Sequence, residues 1–201
     1  MLTAELERCA SLLRDARPKV VVVGGSAGSI QPLSLLLGEL PAGFALPILV
    51  VLHVSPDTKG IWAKVFNTCR LRVVEAEDKD DASPGTVYVA PPDYHLLVGP
   101  GGRLQLSLEP NVNFARPSID VLFESAAWTY QGRLLGILLS GANSDGALGL
   151  AAISRAGGSC WVQSPETAVA PFMPRSALST VASARSLSVA EMAALLHGGV
   201  V

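Results

Sequence analysis

The chain has 201 residues, enough for a sizeable core in one domain or in two small ones. Hydrophobic residues make up 49% and charged residues 16%, yet no stretch approaches the roughly 20 apolar residues of a membrane span. The net charge of −2 indicates neither a nucleic-acid-binding nor an anionic-membrane surface, and the first residues lack the apolar core of a signal peptide. Cys9, Cys69 and Cys160 are odd in number and lack metal-binding spacing. They indicate thiols in a reducing cytoplasm rather than disulfides or a metal site.

Hydrophobic spacing predicts alternating helices and strands along the chain. An amphipathic helix over 3–16 ends before Pro18, and a buried strand over 19–23 follows it. Further strands are predicted at 47–52, 71–76, 86–90, 94–98, 103–108, 134–139 and 159–163. Further helices are predicted at 31–39, 59–68, 118–131, 146–156, 175–182 and 188–197. The last of these opens with the capping-box pattern Ser188-x-x-Glu191.

This alternation predicts an α/β fold, a doubly wound and mainly parallel sheet flanked by helices. Strands that are buried on both faces of such a sheet explain the high apolar content. Residues 84–108 differ, because their short strands are separated only by PPDY and PGG and leave no room for crossover helices. An antiparallel β-hairpin or meander is therefore predicted around residues 86–108.

Three reactive side chains follow predicted strands closely. Ser26 comes after KVVVVGG, His53 comes after ILVVL, and Asp145 lies in the loop SGANSDGA after GILL. In an open parallel sheet, ligands bind at the carboxyl ends of the strands. If these strands are parallel neighbours, the three residues emerge at one edge. A hydroxyl, an imidazole and a carboxylate together compose a nucleophile with an oriented base.

The turn around Ser26 has more than one interpretation. Gly24-x-Ser26-x-Gly28 matches the G-x-S-x-G nucleophile elbow, in which small neighbours permit a sharp turn. Small residues after a first strand also occur in nucleotide-binding turns and in plain tight connections. Neither the dinucleotide fingerprint G-x-G-x-x-G nor a P-loop is present, so a phosphate cradle is disfavoured.

The other two candidates also have structural alternatives. His53 could be an ordinary structural histidine, and Asp145 could cap the helix that begins at Gly146. His95 and His197 are interpreted as structural or exposed. The chain order Ser, His, Asp differs from the order Ser, Asp, His of α/β-hydrolases, which disfavours that fold.

Six runs occur in order and with compatible spacing: VVVGGSAGS, VLHVSP, EAEDKDDASPGTVYVAPPDYHL, ARPSIDVLFESAA, GILLSGANSDGALGL and PFMPRSA. Over about residues 19–182 the chain thereby resembles the catalytic domain of CheB-type protein-glutamate methylesterases of bacterial chemotaxis. The resemblance implies a doubly wound parallel sheet with an antiparallel hairpin. It also implies cytoplasmic hydrolysis of γ-glutamyl methyl esters on receptor helices, with release of methanol and without a metal or organic cofactor. Some members also deamidate glutamines.

The resemblance implies a role for each of the three strand-end residues. By motif position, Ser26 is the nucleophile, His53 the general base and Asp145 the orienting carboxylate. Residues 116–118 match the family's RPS stretch and residues 173–175 its MPR stretch, with no catalytic role assigned to either. The implied partners are methylated chemoreceptor cytoplasmic helices or a similar signalling protein, with no nucleic acid and no membrane insertion.

The chain departs from the family pattern beside each of these residues. The family usually has Ser-Thr-Gly, Gln-His-Met and Thr-Gly-Met-Gly where this chain has Ser26-Ala27-Gly28, Leu52-His53-Val54 and Ser140-Gly141-Ala142-Asn143. A backbone N–H such as that of Ala27 would still serve an oxyanion hole. The changed lining motivates one alternative, a non-catalytic CheB-like binding module in a signalling complex. A further alternative is an esterase or amidase (glutamine deamidase) for another substrate.

Family members commonly carry an N-terminal phosphoacceptor receiver domain that covers the active site. Only 18 residues precede the first predicted strand here. We therefore predict a single catalytic domain over 1–201, with a helical extension over 1–18 and no receiver domain.

Overall fold

A computed structural model describes residues 4–55 and 60–199, and these contain seven α-helices and nine strands. The helices are α1 (Ala4–Ala16), α2 (Ile30–Gly38), α3 (Trp62–Val65), α4 (Ile119–Tyr130), α5 (Ala147–Arg155), α6 (Phe172–Thr180) and α7 (Val189–Gly199). The strands are β1 (Val20–Gly25), β2 (Ile48–Leu52), β3 (Arg72–Glu75), β4 (Thr86–Val89), β5 (His95–Val98), β6 (Leu104–Ser107), β7 (Leu134–Leu138), β8 (Ser159–Gln163) and β9 (Arg185–Leu187). Residues 3 and 59, which begin two of the predicted helices, lie outside the described residues. Within the described part of the chain, no helix is both long enough and apolar enough to cross a membrane.

Seven strands form one parallel sheet in the order β3-β4-β2-β1-β7-β8-β9. Strands β2, β3 and β4 lie on one side of β1. The strands that come later in the chain, β7, β8 and β9, lie on its other side. The connections after β1 and β7 therefore lead in opposite directions. This arrangement opens a crevice at the carboxyl ends of the central strands, where ligands bind in such sheets.

The sheet is covered on both faces, and β1 shows this most clearly. Val21 and Val23 pack into a core formed with α1, α2, α3 and α7, whereas Val20 and Val22 pack into a core with α4, α5 and α6. All four valines are at most 1% exposed. A strand buried on both faces needs apolar residues at every position, so the uninterrupted valine run follows from its central place. The predicted α/β, doubly wound fold is confirmed.

The antiparallel part of the structure is a hairpin of β5 and β6, which pair from His95↔Ser107 to Val98↔Leu104. It lies within the region predicted as a hairpin or meander around residues 86–108. The first strand of that region, β4, instead joins the parallel sheet between β2 and β3. All four β4 residues are buried, which is the environment of an interior strand of a covered sheet.

Two elements in the second half of the chain, β9 and α6, differ from the sequence prediction. The edge strand β9 was not predicted, because Arg185–Leu187 is short and mostly polar and carries no clear period. Helix α6 begins at Phe172 rather than at 175, although Pro174 lies in its first turn. Proline is tolerated there because the N–H groups of a first helical turn have no partner within the helix. The predicted capping box at Ser188 is present, with Glu191 Oε2 accepting the Ser188 N–H at 2.7 Å.

Candidate active site

The sheet brings Ser26, His53 and Asp145 to one edge. Ser26 follows the last residue of β1, His53 follows the last residue of β2, and Asp145 lies seven residues beyond the end of β7. Strand β1 is hydrogen-bonded in parallel to both β2 and β7. The loops after all three strands therefore meet at the carboxyl edge of the sheet.

Ser26 lies in a tight turn between β1 and α2. Its N–H donates to Ser140 O at 2.9 Å, and its carbonyl accepts the Ser29 N–H at 3.0 Å. Gly28 has φ +76°, a conformation that strongly favours glycine. A side chain on Gly24 would collide with Ile119, so both ends of the G-x-S-x-G pattern require glycine for local reasons. The hydroxyl of Ser26 has no hydrogen-bond partner among the described residues.

His53 is hydrogen-bonded to Asp145 through its Nε2 atom, at 2.9 Å from Oδ2. Its backbone N–H donates to Gly25 O at 3.1 Å, which ties the start of this loop to the end of β1. The His53 side chain is 13% exposed and Asp145 is fully buried. His53 therefore faces the cleft with one ring nitrogen while a buried carboxylate holds the other.

The neighbours of the imidazole determine which nitrogen carries its proton. An ionised carboxylate only accepts hydrogen bonds, so His53 Nε2 donates to Asp145 and Nδ1 keeps its lone pair. The hydrogen-bond partner of Nδ1 is the amide nitrogen of Asn143, at 3.4 Å. The amide oxygen of Asn143 accepts the Asp145 N–H at 3.2 Å, which orients its nitrogen towards His53. In this structure Asn143, rather than Ser26, donates to the nitrogen that a general base would use.

Asp145 accepts five hydrogen bonds, although its side chain is inaccessible to solvent. The donors besides His53 are Asn113 Nδ2 at 2.7 Å, Ser118 Oγ at 2.9 Å, Ile119 N at 2.7 Å and Asp120 N at 3.2 Å. Two of these N–H groups belong to the first turn of α4, where backbone donors and the helix dipole favour an anion. The Asp145 side chain therefore caps α4. It does not cap α5, the helix that follows it in the chain and whose N-cap is Gly146.

These hydrogen bonds keep the Asp145 carboxylate ionised. Burial by itself would raise the pKa of Asp145, because it disfavours the charged form. The hydrogen bonds from His53, Asn113, Ile119 and Ser118 outweigh burial and lower the pKa to about 2. A permanent negative charge thus lies 2.9 Å from the imidazole, where it stabilises a protonated His53.

A second buried carboxylate, Asp120, shares a donor with Asp145. The amide nitrogen of Asn113 lies 2.7 Å from Asp120 Oδ2 and 2.7 Å from Asp145 Oδ1. Burial raises the pKa of Asp120, and the charge of Asp145 raises it further, whereas hydrogen bonds from Gly149 and Asn113 oppose the rise. Asn113 therefore separates two carboxylates that would otherwise repel each other.

His95 is a buried structural residue that supports this network. Its Nδ1 accepts the Ser118 N–H at 3.1 Å and its Nε2 donates to Pro110 O at 3.1 Å. It thereby holds both ends of the segment between β6 and α4, from which Asn113 and Ser118 reach Asp145. The prediction that His95 is structural or exposed agrees with this position, and His197 is exposed near the end of α7.

A cleft of about 490 Å³ opens above these residues. Ser26, His53, Phe114, Arg116 and Asn143 are among the residues that line it. The N–H groups of Ala27 and Gly28, next to Ser26, donate to no acceptor among the described residues. Among those same residues, no cluster of three or more His, Cys, Asp or Glu side chains could hold a metal ion.

Another cleft of similar size, about 500 Å³, lies between α2 and α7. Its lining is mostly apolar and includes Leu35, Val189 and Ala193, with Glu39 and His197 at its side. It contains none of the three strand-end residues. The chemistry therefore points to the cleft above Ser26.

Three residues of the site were not predicted from the sequence: Asn113, Ser118 and Asn143. Ser118 lies in the RPS stretch, to which the sequence assigns no role. Asn143 differs in the sequence only as a departure from the family pattern. No sequence signal marked Asn113, which lies 32 residues from Asp145 in the chain.

Most of the chain is similar to known proteins. The family model for the CheB methylesterase matches residues 21–196, most of the chain. A structure of the CheB methylesterase catalytic domain from Thermotoga maritima superposes with a TM-score of 0.84 at 32% identity. The match covers 89% of this chain and 97% of the Thermotoga chain. The chain belongs to the CheB methylesterase family.

Curated relatives agree with this assignment. A Leptospira interrogans protein, provisionally named a protein-glutamate methylesterase/protein-glutamine glutaminase, is 43% identical over 88% of this chain and 92% of its own length. The protein-glutamate methylesterase/protein-glutamine glutaminase of Trichodesmium erythraeum is 34% identical over 86% of this chain. The protein-glutamate methylesterase FrzG of Myxococcus xanthus is 36% identical over 91%. The matches cover only 50% and 56% of the last two proteins, so the chain spans about half of their length.

Proposed function

We propose that this protein hydrolyses glutamate γ-methyl esters on chemoreceptor-type signalling proteins, by a Ser26-His53-Asp145 triad. The observation that carries the proposal is the 2.9 Å hydrogen bond from His53 Nε2 to a buried, ionised Asp145, in the same cleft as Ser26. The names of the relatives support the reaction and the substrate class. A receptor's cytoplasmic helices are the expected substrate, which implies that the protein acts in the cytoplasm.

The first half of the reaction transfers the acyl group to the enzyme. Ser26 Oγ attacks the ester carbonyl while its proton passes to His53 Nδ1, and a tetrahedral intermediate forms. The bond to the methoxy group then breaks, and that oxygen takes the proton from His53 and leaves as methanol. Asp145 stays ionised throughout and stabilises the imidazolium that forms between these steps.

The second half repeats the chemistry with water. His53 Nδ1 takes a proton from a water molecule, and the water oxygen attacks the acyl-enzyme carbonyl. The intermediate collapses with return of the proton to Ser26 Oγ, which releases a glutamate side chain. Glutamine deamidation follows the same course with ammonia as the leaving group, and the two activities named for several relatives support it.

The backbone beside Ser26 supplies the oxyanion donors in this mechanism. The N–H of Ser26 is already bonded to Ser140 O, so it is not available. The N–H groups of Ala27 and Gly28 lack an acceptor among the described residues, and we assign the oxyanion to that of Ala27. A backbone donor tolerates the change from the family's usual threonine to Ala27.

Asn143 has to release His53 before the first step. Its amide nitrogen lies 3.4 Å from Nδ1, which can accept only one proton donor along its lone pair. A hydrogen bond of that length is weak, and its loss is compensated when Ser26 takes its place. Catalytic hydrogen bonds of this kind often form only in the substrate complex.

Methanol release from a methylated receptor fragment tests the proposal, with Ser26→Ala as the matched variant. We expect turnover by the wild-type protein and none above background by Ser26→Ala. Equal, background-level rates for both proteins would contradict the esterase function. The contact between Asn143 and His53 Nδ1 would then favour the second candidate, a binding module that retains the fold.

A further inference from the structure

The segment between β6 and α4 contains a tight turn with unusual backbone angles. Val112 and Ala115 exchange two backbone hydrogen bonds, at 3.1 Å and 2.9 Å. The two residues between them, Asn113 and Phe114, have φ angles of +51° and +61°. Positive φ at both central positions is the signature of a type I′ turn.

The two central residues fit this turn unequally. Asn-Gly is the preferred pair of a type I′ turn, and Asn113 occupies its usual first position. Phe114 occupies the position where glycine is preferred, and its β-carbon makes the left-handed conformation unfavourable. Asn113 also points inward to the two buried carboxylates. The site requires this turn, because the turn directs Asn113 to the carboxylates. The unfavourable backbone conformation of Phe114 is therefore retained.

Phe114 is fully exposed to solvent at this position. It lines the cleft that contains Ser26 and His53. A large aromatic side chain at 100% exposure makes no contribution to the core, and glycine would relieve the strain. Neither folding nor the support of Asp145 explains why this residue is phenylalanine.

Another exposed apolar residue, Val169, lies beside the serine turn. Its side chain is 77% exposed. A β-carbon placed on Gly28 would lie 2.5 Å from Val169 Cβ, so Val169 packs directly against the turn that carries Ser26. An exposed apolar side chain therefore lies beside the turn that carries the nucleophile, in addition to Phe114 in the lining of the cleft.

We propose that Phe114 is a specificity-determining residue, which packs against an apolar side chain of the protein substrate close to the methyl ester. This inference rests on the proposed function. It adds that the enzyme recognises an apolar side chain of the substrate near the ester. Covering an aromatic side chain buries about 150–250 Å², which is more than a methyl ester provides. The partner is therefore the protein surface around the ester, and its apolar residue replaces water on Phe114.

Steady-state kinetics on a methylated receptor fragment test this inference, with Phe114→Gly as the central variant. We expect KM for the fragment to rise about tenfold or more, because an aromatic contact is lost. We expect kcat to change much less than KM, and the melting temperature to rise by a few degrees as the strain is removed. Phe114→Leu and Phe114→Trp should restore most of the low KM.

Trp128→Ala is the matched control, because Trp128 is 69% exposed but lies nine residues, or about 14 Å along the helix, from the start of α4. This control should keep the wild-type KM. An unchanged KM in Phe114→Gly would overturn the inference. A loss of kcat at constant KM would also overturn it, because Phe114 would then act through Asn113. Wild-type protein without turnover would contradict the proposed function itself, and the inference with it.

Discussion

The two ends of the proposed triad are built in opposite ways. At one end Asp145 is fully buried and accepts five hydrogen bonds, so its position and charge are fixed before substrate binds. At the other end Ser26 is partly exposed, and its hydroxyl has no hydrogen-bond partner among the described residues. The base is therefore preorganised, whereas the nucleophile is left open to substrate.

The two ends also differ in how much they contribute to the stability of the fold. Asp145 joins the loop after β7 to the first turn of α4, so the same contacts that orient His53 also hold α4 in place. Ser26 is held only through its backbone. Substitutions at the carboxylate end should therefore affect both activity and stability, and substitutions at the serine end should affect activity alone.

Asp145→Asn should produce the largest combined effect. An amide cannot accept at both positions. Its nitrogen would face the donors on one side, either His53 and Ile119 or the set Asn113, Ser118 and Asp120. We expect a loss of about 2–4 kcal/mol in the free energy of unfolding, and a fall of about 10⁴-fold in methanol release, because the wrong tautomer of His53 is favoured.

Chemical denaturation and methanol release measure the two effects of this change. Ser26→Ala is the matched control, and its free energy of unfolding should stay within about 0.5 kcal/mol of wild type. Equal destabilisation by both variants would remove the contrast between the two ends of the triad.

Asn113→Gly tests the shared donor between the carboxylates. Glycine accepts the positive φ of this position, so the variant removes the amide without adding backbone strain. Asp120 and Asp145 would then face each other without a shared donor. We expect about 2 kcal/mol of destabilisation, because hydrogen bonds to charged groups are lost. Urea denaturation at neutral pH measures it, and an unchanged midpoint would show that Asn113 is not needed to keep the two carboxylates together.

Acidification should destabilise the fold through Asp145. Its pKa is about 2 in the folded state and 3.8 ordinarily, so folding favours the ionised form. This contributes about 2 kcal/mol of stability above pH 4, which is lost as the pH falls from about 4 to about 2. Denaturation midpoints across this range should fall in wild type and fall less in Asp145→Asn. The raised pKa of Asp120 acts in the opposite direction, because its protonation on acidification stabilises the fold.

Asn143→Ala should have the smallest effect, and in the opposite direction. The variant frees His53 Nδ1 from a weak hydrogen bond, so Ser26 engages the base more easily. A bond worth about 0.5–1 kcal/mol corresponds to a rise in kcat of about two- to fivefold. Asn143→Asp is a useful companion, because it keeps the shape but replaces the donor by an acceptor. A fall of about 100-fold in Asn143→Ala would instead assign the amide to the oxyanion.

Much of this molecule could be predicted from its sequence, for a physical reason. Val20–Val23 and the other buried strands have continuous apolar runs, and the residues that follow them must lie at one edge of a parallel sheet. Ser26, His53 and Asp145 can be grouped from the sequence in this way, because the period and the ends of strands are local properties.

The rest of the site depends on contacts between distant segments. Asn113 reaches Asp145 only because the turn at 112–115 folds back onto α4. The residues adjacent to Asn113 in the sequence do not indicate this contact. The cap that Asp145 forms belongs to α4 rather than to the helix that follows it, which local capping rules cannot foresee. The short edge strand Arg185–Leu187 forms because it pairs with β8, and its own residues have little preference for a strand.

The most direct test of the proposed triad is methanol release by wild type, Ser26→Ala, Asp145→Asn and the double variant, on one methylated receptor fragment. Groups that act as a unit show strongly non-additive losses. We predict that the double variant is no slower than Ser26→Ala, because Asp145 has no nucleophile left to assist. A Ser26→Ala variant that turns over at the wild-type rate would contradict the triad, as would an Asp145→Asn variant with wild-type turnover.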